Sequence, residues 1–259
     1  MKEGRKISII ILSKVEENKL RKDTTKLFFQ PDISGGITSL NDVEWVLNMR
    51  NITIEGLGKI SGGEYDIISV EGVGDLTGDI KASKLMVEGV LKCNGSVESD
   101  EMNIEGVITL NKSVRVKDLK IEGVVNQKKE KIEADYIYCE GVLNSEGEIS
   151  ADKIEVEGYI SAPEIYGEYI KIVNYKHLLD RDVHFNIFGF GFHNRKGKGR
   201  SSVDLMEATT IELSNVKAGS VRGNNVAIGA NCVIEEVECD GNLSIDPSAK
   251  VGKVNGQAY

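Results

Sequence analysis

Ile104-Glu105-Gly106, Val107-Ile108-Thr109-Leu110, Val114-Arg115-Val116 and Leu119-Lys120-Ile121-Glu122-Gly123 follow one another as a single unit that the chain writes repeatedly. A β-friendly residue, then Glu, then Gly opens each copy: Ile54-Glu55-Gly56, Val70-Glu71-Gly72, Val87-Glu88-Gly89, Ile104-Glu105-Gly106, Ile121-Glu122-Gly123, Cys139-Glu140-Gly141 and Val156-Glu157-Gly158. Successive glycines lie 16 to 18 residues apart, with a mean of 17. A fixed period with one-residue slippage marks a repeat architecture. The unit is too short for a helical hairpin, and between its glycines Val, Ile and Leu alternate with Lys, Asp, Glu and Ser, the two-residue period of a half-buried strand. Stacked coils bury a continuous apolar column that no single coil could bury alone. The expected fold is all-β, a parallel β-helix (solenoid) of about ten coils, each with two or three short strands. The apolar residue of each motif should point inward and its Glu outward, and Val107, Leu110 and Ile121 are read as inward-facing.

Composition agrees. Among 259 residues there are 28 glycines, 3 prolines and one tryptophan, Trp45, as suits bends made by Gly and Asn. The formal net charge of −9 argues against general nucleic-acid affinity and for a soluble body. Cys93, Cys139, Cys232 and Cys239 form no CxxC pair and are read as reduced core or face cysteines rather than a zinc site. The apolar run Ile7 to Leu12 is too short to span a bilayer and lacks a cleavage site after it, so neither a secretion signal nor a transmembrane helix is expected. The expected location is cytoplasmic.

Four segments follow from these patterns. Residues 1–36 form a leader whose basic balance opposes the whole. Residues 37–175 hold the main β-helix, its near end closed over 37–50 by a short helix or an irregular first coil, which the pattern does not decide. Residues 176–202 break the period as an insertion hung from one face. Residues 203–259 resume it more loosely: Ile211-Glu212-Leu213, Val226-Ala227-Ile228 and Leu243-Ser244-Ile245 recur at steps of 15 and 17 and read as about three further coils.

The seven glutamates should stack about 4.8 Å apart. Like charges in such a column could bind cations. A solvated face with lysines such as Lys59, Lys120 and Lys153 nearby is the reading preferred. The glycines beside them mark a corner with positive φ or one without room for a side chain. No nucleotide-binding loop is present, and Gly56-Leu57-Gly58-Lys59-Ile60-Ser61-Gly62 precedes strands rather than a helix. His177, His184 and His193 carry no triad or metal spacing. No cofactor, small-molecule substrate or nucleic-acid partner is called for, and the chain is read as a non-enzyme. The phrases Val226-Ala227-Ile228-Gly229-Ala230-Asn231 and Ile245-Asp246-Pro247-Ser248-Ala249-Lys250-Val251-Gly252 resemble the hexapeptide repeat of left-handed β-helix acyltransferases. That resemblance implies a catalytic histidine within the solenoid for which no position is found.

The insertion holds four of the six phenylalanines, Phe185, Phe188, Phe190 and Phe192. Phe188-Gly189-Phe190-Gly191-Phe192, if extended, would show three rings on one face. Arg195, Lys196, Lys198 and Arg200 follow, and residues 183–203 contain no acidic side chain. Two readings stay open: contact with an anionic membrane surface or a partner groove, or rings packed on the solenoid flank with a solvated basic turn.

The 17-residue coils with their Glu-Gly corners, together with Lys59-Ile60-Ser61-Gly62-Gly63 and Leu76-Thr77-Gly78-Asp79-Ile80-Lys81-Ala82, resemble the bactofilins, polymer-forming bacterial cytoskeletal proteins. The resemblance covers residues 51–175 well and extends to 203–254. It implies a right-handed β-helix that joins end to end into filaments without nucleotide, often on the inner membrane face, as a scaffold for envelope, shape or motility machinery. The expected partner is a second copy or a paralogue. End contacts are expected at Leu40 and Val43 on one end and at Val251 and Val254 on the other, because both ends of a β-helix present unpaired strand edges. The remaining alternative is a monomeric β-helical adaptor.

Overall fold

The computed structural model describes residues 51–174 and 200–259, and the backbone of Asn186–Ile187 and Phe190–Gly191. The described residues contain no helix, and seventeen strands join in one sheet whose neighbouring strands run parallel, save at the last pairing. The chain is a β-solenoid of about ten turns. One register column runs its whole length: Ile54 pairs with Val70, Val70 with Val87, then Ile104, Ile121, Cys139, Val156 and Ile172. It continues without a break through Leu213, Ile228 and Ile245.

Each turn has three sides. In Val114–Ile121 burial alternates from Val114 to Val116, skips across the exposed pair Lys117 and Asp118, and resumes at Leu119 and Ile121. Two outward residues in a row are possible only where the strand bends, so one continuous strand supplies two sides and Val107–Leu110 the third. Ile108, Leu110, Val114, Val116, Leu119 and Ile121 fill the interior.

Val107 corrects the sequence reading. It is only 5% exposed, yet it lies outside the core cluster, because Ile108 beside it takes the inward position and an extended strand alternates. Leu110 and Ile121 are inward as expected.

The corner glycines are explained by stacking. The carbonyl of Ile54 accepts hydrogen bonds from the N–H groups of both Glu71 (2.9 Å) and Gly72 (3.0 Å), and the Gly56 carbonyl accepts from Val73 (2.7 Å), so the ladder continues around the bend. This draws each corner so close to the one before that a Cβ on Gly106 would stand 2.0 Å from the Gly89 carbonyl oxygen, and one on Gly123 2.0 Å from that of Gly106. None of the column glycines has positive φ, so the demand is for space alone. Slippage in the period is absorbed elsewhere. The 18-residue step places Lys129 at φ 72°, in a bend one residue longer than its counterpart.

The insertion enters and leaves at the Glu-Gly corner. Tyr159–Val173 is stacked on Ser201–Ser214, with Ile172 on Leu213, so residues 175–199 are spliced in where the other turns carry Glu and Gly. The resumed ladder begins at Ser201, slightly before the expected 203.

Candidate functional site, the solenoid ends and the outer face

At the C-terminal end the last full strand, Val233–Ile245, pairs on one side with Val216–Ile228. On its other side only residues 233–237 are covered, by Lys250–Val254. Residues 242–245 therefore present an open backbone edge among the described residues, with Leu243 and Ile245 half-buried at the mouth of the core. Lys250–Val254 is itself capped by Gln257–Ala258, which runs antiparallel through a turn with Asn255 at φ 47° and Gly256 at φ 75°. The Asn255 side chain extends this closure, accepting from the Cys239 N–H (2.9 Å) and donating to its carbonyl (3.1 Å). Asp246, which follows the open edge, accepts from the backbone and hydroxyl of Ser248 at 2.8 and 2.6 Å, and these bonds hold its carboxyl below the usual range.

Val251 and Val254, expected as end contacts, are half-buried in this last turn, with the backbone at Val254 already covered by Gln257. Leu243 and Ile245 carry the open edge and were missed as end residues. Their alternation with Ser244 marked them as a strand, but only the antiparallel tail shows which side of the last turn stays open. At the opposite end the first described strand is Ile52–Ile54, paired on one side with residues 68–70. Following the registers from turn to turn, Ile52 and Ile54 stand in the same columns as Leu243 and Ile245. Leu40 and Val43 lie outside the described residues.

The outer face carries cross-turn ion pairs: Lys81 with Glu98 (2.7 Å), Lys84 with Glu101 (2.9 Å), Lys117 with Asp100 (2.7 Å) and Arg115 with Glu133 (2.8 Å). The Lys84 ammonium, helped by Asn103, holds the Glu101 carboxyl below its usual range. Of the lysines expected beside the glutamate column, Lys120 does pair with Glu122 (2.6 Å), whereas Lys59 reaches Asp75 and Lys153 reaches Glu155. Lys153 also lies over the rings of Tyr136 and Tyr169, at 5.2 and 5.9 Å. Burial, reinforced by its hydrogen bond to Glu155, pushes the Tyr136 hydroxyl up to about 12.

A shallow groove runs past Tyr166, Gly167, Glu207, Arg222, Gly223 and Glu238, where Arg222 is already bound to Glu238 at 3.0 Å. All four cysteines are buried and free, and burial pushes the Cys139 thiol up to about 12, which keeps it protonated and inert. The three histidines lie outside the described residues, as do Phe185, Phe188, Phe192, Arg195, Lys196 and Lys198. Of the aromatic stretch, the backbone of Phe190–Gly191 pairs antiparallel with Asn186–Ile187. Arg200 is exposed at the first residue after the insertion. No helix among the described residues is long and apolar enough to cross a membrane.

No protein-family model matches the chain, and no solved structure matches it. Among curated proteins it is similar to the uncharacterized protein YhbE of Bacillus subtilis (strain 168), 52% identical over 50 residues, which make up 19% of this chain and 21% of that protein. The likeness thus spans about a fifth of each chain.

Proposed function

We propose that the protein is a non-enzymatic scaffold that associates with further copies through its terminal turns, without nucleotide, and so builds filaments supporting envelope, shape or motility structures. One observation carries this reading: residues 242–245 offer an open strand edge at one end, in the columns that Ile52 and Ile54 occupy at the other. An unpaired edge with apolar side chains beside it is a template for another strand. A contact between the two different ends of a solenoid does not close on itself and generates a filament. The resemblance to bactofilins points the same way and supplies the cellular expectation, a cytoplasmic body whose membrane attachment, where it occurs, is peripheral.

The test is electron microscopy of the purified chain in negative stain with no nucleotide added. Filaments are expected. Leu243→Lys with Ile245→Lys should place two charges at the joint and yield monomers or dimers with unchanged β-sheet circular dichroism. A parent protein that stays monomeric, or forms a discrete trimer, would sink the reading.

A further inference from the structure

The residue after each Glu-Gly pair is apolar. Val73, Val90, Val107, Val124 and Val142 pair in register one above another and lead to Tyr159, and Leu57 begins the row, 77% exposed. None of these residues belongs to the core cluster or packs against it. They form a separate outward row of six steps, about 29 Å long at the usual strand spacing, half-buried at Val73, Val90, Val124, Val142 and Tyr159 and only 5% exposed at Val107. Beside it runs the glutamate wall, in which Glu71, Glu88 and Glu105 are exposed and have no ion-pair partner among the described residues. An apolar row rimmed by charged side chains is a candidate interaction surface.

Where the chain leaves the described solenoid indicates what covers it. Twenty-five residues, 175–199, depart after Asn174 and return at Arg200. Ser161 pairs with Ser202, so Arg200 falls over Tyr159, the last position of the ridge. An excursion of this length folded back on itself reaches about 40 Å, enough to run the full ridge. Its composition complements the surface: Phe185, Phe188, Phe190 and Phe192 for the valines, and Arg195, Lys196, Lys198 and Arg200 for the glutamates. At its root Asn174 is 5% exposed with neither side-chain amide atom hydrogen-bonded. Such a group is normally satisfied, and a chain passing over it would supply the partners.

We propose that the valine ridge and the glutamate wall are the docking surface for this chain's own aromatic and basic segment, residues 185–200.

The test places a photoreactive benzophenone residue at position 190 of the full chain, irradiates a mixture of unlabelled and nitrogen-15-labelled protein, and maps the linked peptides by mass spectrometry. Links should fall on the ridge between residues 73 and 142 and join peptides of the same label. Glu88→Gln, Glu105→Gln and Glu122→Gln together should lower the yield at least threefold, as should added salt, with circular dichroism unchanged. Links that join different labels would overturn the proposal in favour of a second copy as occupant. Absence of links to the ridge would overturn it too. So would flotation of the parent protein with anionic vesicles that is lost when Phe188, Phe190 and Phe192 become Ser, which would assign the rings to lipid. None of these outcomes depends on filament formation, so the docking and the scaffold reading stand or fall separately.

Discussion

Residues 51–174 and residues 200–259 build the same cross-section with different corners. In the first region each Glu-Gly corner from Gly72 onward sits so tightly on the one before that only glycine fits, and the motif recurs in successive turns up to Gly158. In the second, the corresponding corners use Asn215 at φ 58° and Asn231 at φ 59°, asparagines in the left-handed conformation that this side chain tolerates. The core columns do not notice the change, since Leu213 and Ile228 stack on Ile172 as though the motif had continued. The interior thus sets the fold, and the corners set only how visibly the fold is written.

The most damaging way to test this division is to attack the shared column. Ile121→Asp and Ile228→Asp, at 0% and 2% exposure, each bury an unpaired charge and should cost several kcal/mol, on the order of 3 to 5. Both should abolish cooperative melting. If Ile121→Asp melts like the parent, the inward assignment fails.

A corner substitution separates the regions. Gly106→Ala forces a Cβ to within 2.0 Å of a backbone oxygen and should destabilise by about 3 kcal/mol or more. Asn231→Ala places an alanine in the left-handed region and should cost about 1 to 2 kcal/mol, while Asn231→Gly should be near neutral. Equal thermal shifts for Gly106→Ala and Asn231→Ala would remove the distinction between the two corners.

Electrostatics gives the smallest contrast. Ten of the eleven ion pairs found among the described residues lie in the first region and one, Arg222 with Glu238, in the second. Glu101, Glu133 and Glu155 are all held below the ordinary glutamate value of 4.5 by their hydrogen-bonded partners. A carboxylate with a depressed folded-state pKa stabilises above its unfolded value, and that contribution is lost as pH falls through the folded one. Stability should therefore hold from neutral pH down to about 4.5 and decline below it, more steeply in the first region. Lys84→Ala should remove about 1 kcal/mol or less and flatten the acid limb measured by urea unfolding at stepped pH.

Much of the fold was legible because the tight corner repeats in the sequence. The looser coils were found from Ile211, Val226 and Leu243, which keep the core period even where the corner motif is gone. The error at Val107 has a physical cause. Alternation counted from the nearest apolar residue has two possible phases, and Val107-Ile108 offers both; only the neighbouring turns decide. The end of the molecule was less legible than its middle. Which side of the last turn stays open depends on the antiparallel return of Gln257–Ala258, a two-residue strand with no periodic signal. The valine row was in plain view as the residue after each glycine, but only Val107 of it was assigned a face, and that one was read as inward.

The splice at the corner also bears on how the molecule assembles itself. Along most of the solenoid each new turn closes onto the last across about 17 residues, but Leu213 reaches Ile172 across 41. Loop-closure entropy rises with the logarithm of length, so this one closure costs about 0.8 kcal/mol more than the others. Where each turn touches only its neighbours, folding spreads outward from a nucleus and slows at the costliest step. The seven-copy region and the C-terminal turns should therefore nucleate apart and meet at Ile172 and Leu213, making that junction the first to open when hydrogen exchange probes the native state.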